Sequence, residues 1–476
     1  SHSPVERLVD GMYSSSIYSA MWPAGEEAKI TLDLGKVVDI SSVSLREWHM
    51  NEGWDIAQRS LELSDDGFQQ DVRTPATPFT ETGTESWGNN VNTIYSAPIG
   101  QKARYLRLTA TPARTDSAVY IAEIEVRGTA PGATPEITDI TSGDIDGDGA
   151  AELLACSKAG EIQAFRASGE PIWSFASKQR AGFLALACGD VDGDGKDEVM
   201  AGGLGGRAAL LSSDGKLLWE QTPPPYRGIS PDVMTILAAD LDGDGKDEMV
   251  CGCKNWQYVA YRADGTLMWA NIIYAHSATV SCADDFDGDG LPEIVAGNEY
   301  YRINLIDNDG KRIYSAGNLG PDMTAVSSAD VDGDGLPEVL VGTDGGDLLC
   351  YDGNGAQRWL VNLGDRVTRI IGKAKAADGT PVILAAAEST NVFALNLDGS
   401  TKWRTALPDG AGDIALSADG RHIVAAAGSA GIVALDAEGK LTAHGEVPGR
   451  AIRVLCGEGQ VVAVSDAGEM VTFRLP

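Results

Sequence analysis

The stretch Asp144-Ile145-Asp146-Gly147-Asp148-Gly149-Ala150-Ala151-Glu152 decides the architecture, because it returns four times. The later copies read DVDGDGKDE (190–198), DLDGDGKDE (240–248), DFDGDGLPE (285–293) and DVDGDGLPE (330–338). Each carries carboxylates at loop positions 1, 3, 5 and 9. The first set is Asp144, Asp146, Asp148 and Glu152, and the second is Asp190, Asp192, Asp194 and Glu198. The third is Asp240, Asp242, Asp244 and Glu248; the fourth Asp285, Asp287, Asp289 and Glu293; the fifth Asp330, Asp332, Asp334 and Glu338. This spacing lets the side chains converge on one hard cation, and glycine at position 6 permits the turn. An all-oxygen set of this size suits calcium rather than zinc or copper. A helix–loop–helix calcium site would run to a glutamate at position 12. Here each loop lies between strand-like runs, such as LALACGD (184–190) and EVMAGG (198–203).

The loops punctuate a longer repeat. From the first aspartate of each loop to the next aromatic landmark the offset is always 29 residues: Asp144 to Trp173, Asp190 to Trp219, Asp240 to Trp269, Asp285 to Tyr314, Asp330 to Trp359. The same ruler finds worn copies. Trp403 points back to a loop that keeps only Asp378 and Gly379, and His444 to one that keeps Asp419 and Gly420. A last copy from Val454 runs out before its aromatic position. Eight units of roughly 42 residues, each with several short strands, read as a β-propeller. Eight blades are expected, with seven as the alternative, and the strand-four aromatic is expected to pack between blades.

The repeats resemble the calcium-binding FG-GAP repeats of integrin α-subunit propellers and related bacterial proteins. The resemblance implies a propeller with its acidic loops on one face and about five bound calcium ions. Five ions would bring the formal charge of −32 to about −22. The remaining negative charge argues against nucleic acid, whose phosphates demand a basic surface.

Residues 1–128 carry no such repeat. Their motifs are LVDG (8–11), ITLDLG (30–35), VSLRE (43–47), LSDDG (63–67), ARYLRLT (103–109) and IAEIEVRG (121–128). In this order they resemble the discoidin, or coagulation factor 5/8 type C, domain. The resemblance implies an N-terminal β-sandwich jelly roll used as a carbohydrate-binding module. It also implies one calcium held near Asp10 and Glu123. Its ligand loops would correspond to 48–59 and 87–92, where Trp54 and Trp87 could stack on a sugar ring. His49, Arg59, Asn89 and Asn90 could bond to its hydroxyls. The expected organisation is all-β: 1–128 sandwich, 129–136 linker, 137–476 propeller.

Spacing locates a second candidate site. From each aromatic landmark to the next loop aspartate the gaps are 17, 21, 16 and 16 residues. All length variation among the intact units therefore falls on the face opposite the acidic loops, as in scaffolds that carry binding sites on variable loops. Connections on that face gather Arg180, Tyr226, Arg227, Lys254, Asn255, Trp256, Tyr274, His276, Asn298, Glu299, Tyr300 and Tyr301. Aromatic rings beside cations suit an acidic glycan. If the cluster is catalytic, a polysaccharide lyase is the best-matched class. Arg227 or Lys254 would neutralise a uronate, and His276 or Tyr274 would act as base. Binding alone is the leading expectation, catalysis the second and cell adhesion the third.

No run reaches 18 apolar residues, so no membrane span is expected. No signal peptide is recognisable and the chain begins at Ser1, which reads as a trimmed or excised segment. Carboxylate-rich calcium sites favour an extracellular, secreted or cell-surface location. The seven cysteines suggest no disulfide framework and read mostly as small buried residues.

Overall fold

A computed structural model describes residues 20–49, 56–87, 90–116, 118–129, 136–177, 182–273, 276–300, 302–317, 321–388, 391–457 and 460–475. Among them there are strands and no helices. The chain divides into two compact units: 1–133 with 225–232, and 134–224 with 233–476.

In the first unit six strands form one antiparallel sheet. They are β1 (Ala20–Trp22), β2 (Ala28–His49), β3 (Ile56–Ser64), β4 (Thr80–Trp87), β5 (Asn90–Pro112) and β6 (Val119–Thr129), in the order β1-β6-β2-β5-β3, with β4 also on β5. β2 and β5 run unbroken for 22 and 23 residues. One end of β5 pairs with β4 and the other with β3. Register shifts between Asp33 and Val38, and between Ile40 and Ser42, bend the pair. The result is one curled sheet rather than two separate layers. It closes over a core that includes Ile30, Leu45, Leu63, Leu106, Leu108 and Ile121.

The second unit is an eight-bladed β-propeller. Seven antiparallel sheets of four strands are followed by one of three. Blade two shows the plan: Phe183–Gly189, Glu198–Gly203, Arg207–Leu211 and Leu217–Gln221. The second strands are buried on both faces, which explains why ELLACS, EVMAGG and EMVCGC are uninterrupted by charge after their first residue. The fourth strands alternate exposed and half-buried positions, as in PIWSFA. Blade eight has only Ala451–Gly457, Gln460–Ser465 and Met470–Arg474. Its innermost strand neighbours that of blade one, Ile137–Gly143, and closes the ring. Of the cysteines, Cys156, Cys251, Cys253 and Cys350 are buried, and none is disulfide-bonded.

No blade owns a core. The apolar clusters lie between neighbours: Leu154 of blade one with Val199 of blade two, Met200 with Cys251, Tyr258 with Ile294, and so on to Val424 with Val461 of blade eight. The strand-four aromatics join these clusters and reach one blade further. Trp173, Trp219, Trp269, Trp359 and Trp403 each donate an indole N–H to a carbonyl in the next blade's outer turn, at 2.7–3.1 Å. The ring lies on that turn's glycine. A Cβ on Gly310 would sit 2.4 Å from Cγ of Trp269, and one on Gly215 2.6 Å from Trp173. Both glycines also have φ above +80°. First-strand threonines add a second tie: Thr138, Thr324 and Thr368 donate to Phe183, Val367 and Ala411 carbonyls at 2.6–2.7 Å.

Trp269→Ala should destabilise the protein by roughly 3 kcal/mol, the scale of a large aromatic truncation. Gly310→Ala should also destabilise it, because the methyl group displaces the ring. Chemical denaturation of the double variant should show less than the sum of the two losses, since both changes remove the same contact.

Candidate functional site

The five acidic loops fold alike. The first aspartate spends both oxygens on backbone donors. Asp285 Oδ1 accepts from Gly288 N at 2.7 Å and Oδ2 from Gly290 N at 3.0 Å. Asp144, Asp190, Asp240 and Asp330 repeat this pattern. The position-5 aspartate accepts from the backbone two residues on, as Asp289 does from Leu291 at 2.8 Å. The closing glutamate accepts from the position-2 amide: Glu293 from Phe286 at 2.7 Å, Glu248 from Leu241 at 2.9 Å. The position-2 side chains Ile145, Val191, Leu241 and Phe286 are buried and anchor the loop. Adjacent loops are also joined. Asp197 N donates to the Asp144 carbonyl and Asp247 N to the Asp190 carbonyl, both at 2.9 Å. Loops four and five carry Pro292 and Pro337 at that position, with no N–H to give.

The donor chemistry fits a hard cation. In each loop three carboxylates bring an oxygen within 4.8 Å of one another. Among the loop carboxylates, Asp146 Oδ1 and Glu293 Oε1 are buried without a hydrogen-bond partner. Burial, reinforced by the neighbouring aspartates, pushes the Glu198, Glu248 and Glu293 carboxyls up to about 7. Glu152 and Glu338 move in the same direction for the same reasons. Three arginines offset part of the charge: Arg166 at Asp146, Arg262 at Asp242, and Arg358 at Asp332 and Glu338. The worn loops are ordinary turns in which Asp378 and Asp419 cap Thr380 and Arg421 amides.

On the opposite face the structure brings together four of the predicted residues. His276 lies between Trp256, with ring centroids 5.8 Å apart and nearly parallel, and Tyr300, at 3.7 Å. Its Nδ1 is 3.7 Å from Glu299 Oε2. Trp256 and Tyr300 come from strand two-to-three turns of blades three and four, and His276 from the connection between those blades. All four are half-buried. Trp256 and His276 hold φ of 69° and 107°, a region costly for residues with a side chain. Burial lowers the His276 pKa, partly opposed by Glu299, and so favours the neutral imidazole.

Other expected members have different positions. Lys254 and Asn255 are 2% and 0% exposed, so neither offers itself to solvent. Lys254 is therefore corrected from a surface cation to a buried one. Asn255 donates to the Pro224 carbonyl at 2.9 Å. Asn298 is buried too and accepts from the Tyr300 and Arg302 amides, which shapes the turn. Tyr226 and Arg227 belong to the 225–232 segment, where the Arg227 guanidinium lies 5.6 Å from the Tyr226 ring and Arg227 has φ 51°. Arg180, Tyr274 and Tyr301 lie outside the described residues, as do Asp10, Trp54 and Asn89. For His49, Trp87, Asn90 and Glu123 only the backbone is described. Arg59 is engaged within the sheet. Its guanidinium forms a two-pronged ion pair with buried Glu47 and covers the Tyr95 ring at 3.5 Å.

One arrangement escaped sequence reasoning. Arg366, Arg450 and Arg453 line a cavity of about 400 Å³ among blades five to eight, on the face opposite the acidic loops. The only sequence signal is an arginine just ahead of a first strand in Arg366-Val367 and Arg450-Ala451.

Comparison with known proteins agrees with this geometry. The FG-GAP-like repeat family matches residues 144–201, 190–251 and 285–341, and the FG-GAP repeat family matches 324–360. No curated protein matches the chain. Among solved structures, the computationally designed Ika8 protein is similar at 14% identity, with a TM-score of 0.56 over 72% of this chain and 97% of that one. BamB from Moraxella catarrhalis gives 14% and 0.52, over 68% and 91%. Chaetomium thermophilum Sqt1, solved bound to the N-terminus of ribosomal protein L10, gives 12% and 0.58, over 72% and 98%. At these identities the likeness concerns the fold alone. The chain carries FG-GAP repeats in an eight-bladed β-propeller.

Proposed function

We propose that this is an extracellular, calcium-stabilised protein that recognises carbohydrate through the propeller face opposite its acidic loops. The observation that carries the reading is the Trp256–His276–Tyr300 stack beside Glu299. Two of its members hold left-handed backbone positions, an arrangement that costs on the order of 1 kcal/mol or more per residue and tends to accompany function. Aromatic faces stack on pyranose rings, while Glu299 and the imidazole supply hydrogen bonds. The N-terminal sheet is read as a discoidin-like carbohydrate-binding module on its motifs. Calcium is assigned to the five loops as a structural ion, held by the carboxylates of positions 1, 3, 5 and 9. The ion would screen their mutual repulsion and tie strand one to strand two. That no helix is long and apolar enough to cross a membrane leaves this location open.

A second reading, a polysaccharide lyase, is favoured by one feature. Burial favours the neutral form of His276 beside Glu299, and the neutral form is the one a base needs to remove a proton from a uronate. Ultraviolet absorbance of unsaturated products would appear on acidic polysaccharide and be lost in His276→Gln. Retention of glycan with no absorbance gain on any uronate polymer leaves the binder.

Trp256→Ala is expected to weaken glycan retardation in affinity gels about tenfold or more, as loss of one stacking anchor does. Some thermal stability should be lost as well, because Trp256 also packs against the apolar cluster between blades three and four. Unchanged retardation would remove this face from consideration.

Calcium removal should be pH-dependent in a defined sense. Glu198, Glu248 and Glu293 have folded-state pKa values of about 7 without an ion, above the usual 4.5. The chelated native state therefore holds protons that the unfolded chain has released, and its stability falls as pH rises from about 4.5 to 7. In calcium the ion displaces those protons, and stability is lost on acidification instead. Melting curves with calcium and with chelator should diverge most above pH 7 and converge near pH 5. Superimposed curves at pH 7.5 would refute the calcium assignment.

A further inference from the structure

The arginine-lined cavity lies away from the aromatic stack, on blades five to eight. Arg366 precedes the first strand of blade six, Val367–Lys375, and Arg450 and Arg453 begin blade eight. Small residues complete its lining: Gly410, Ala411 and Gly412 ahead of blade seven, and Gly428 from that blade's two-to-three turn. Gly410 and Gly428 have φ of 64° and 55°, so the backbone takes a course that side chains would resist. The lining threonines add no free donor, because Thr324 and Thr368 donate to the Val367 and Ala411 carbonyls.

The charge pattern has two levels. At the mouth Arg450 pairs with Asp409 at 3.3 Å, and Asp409 also accepts from the Ser429 amide and hydroxyl. Glu388 stands on the rim. Arg366 makes no side-chain hydrogen bond or ion pair among the described residues, although Asp322 is near enough to feel its charge. Deeper, Asp139 and Asp413 sit around Arg453 and Arg369. These carboxylates accept from backbone amides, Asp139 from Leu186 at 2.9 Å and Asp413 from Ile414 at 3.0 Å and Val454 at 3.2 Å. Arg369 stays 3.8 Å from Asp413, beyond hydrogen-bond distance. Arg453 likewise has no side-chain hydrogen bond among the described residues. Two guanidinium groups thus keep their N–H forks unspent beside one cavity, in a chain of formal charge −32. Such forks match a carboxylate with two parallel hydrogen bonds.

We infer that this cavity binds a small carboxylate-bearing ligand of mono- to disaccharide size, with Arg366 and Arg453 gripping the carboxylate. Its volume lies within the range of small-molecule sites. For an acidic glycan it provides an acid-specific subsite distinct from the aromatic stack. It does not require the stack to bind anything.

Calorimetric titration of the full chain with glucuronate, galacturonate, glucose and inorganic sulfate tests it. Both uronates should bind, glucose should not, and affinity should fall as salt rises. Arg366→Gln and Arg453→Gln should each weaken uronate binding about tenfold or more, the scale of a lost charge-assisted pair. Arg366→Gln touches no buried acid, so it keeps the test valid if Arg453→Gln folds poorly. Trp256→Ala should leave uronate affinity unchanged, which separates this site from the glycan reading of blades three and four. No uronate binding, equal binding of glucose, or wild-type affinity in Arg366→Gln would overturn the inference. Sulfate competing as well as glucuronate would overturn its assignment to carboxylates.

Discussion

The propeller depends on one contact repeated around the ring: an aromatic side chain from the outer strand of one blade laid on the turn glycine of the next. Because the apolar clusters form between blades, a lone blade would expose both faces of its buried second strand. The aromatic therefore does two jobs. It extends the inter-blade core outward, and its indole N–H satisfies a carbonyl of the neighbouring turn. The matching glycine is as constrained as the ring, since any Cβ there would meet it. Tyr314 takes the position in blade four and packs on Gly355, but its hydroxyl finds no partner. That blade relies on packing alone at this point.

The acidic loops concentrate charge where the chain folds back tightly. Backbone amides from glycine and neighbouring residues already solvate half of the oxygens, so the loop shape is set by hydrogen bonds. In every loop three carboxylates nonetheless bring an oxygen within 4.8 Å of one another, and these repel. Burial, with this repulsion added, is why the closing glutamates resist ionisation. The arginines at loops one, three and five relieve only part of this.

The repeat was legible in the sequence because the chemistry recurs at fixed offsets. Five acidic loops and six aromatics at one spacing specify strands, turns and the blade-to-blade contact together. The aromatic stack was partly legible, since Trp256, His276 and Tyr300 are unusual residues for turns. What failed was judgement of depth. Lys254 reads as a surface cation by type, yet tertiary packing buries it. Arg59 reads as a loop residue, yet it is consumed by Glu47. The arginine cavity was invisible for a different reason. Arg366 stands 84 residues from Arg450 and 87 from Arg453, and only the packing of blades six to eight brings the three together.

The pairing of neighbouring acidic loops has a mechanical corollary. The Asp197 and Asp247 amides lock the first three loops into a continuous arc, whereas Pro292 and Pro337 interrupt that rim. Loops four and five meet their neighbours through side chains instead, Leu291 lying against Gly243 and Leu336 against Gly288. Part-way round the rim, the seam between loops therefore changes from hydrogen-bonded to apolar.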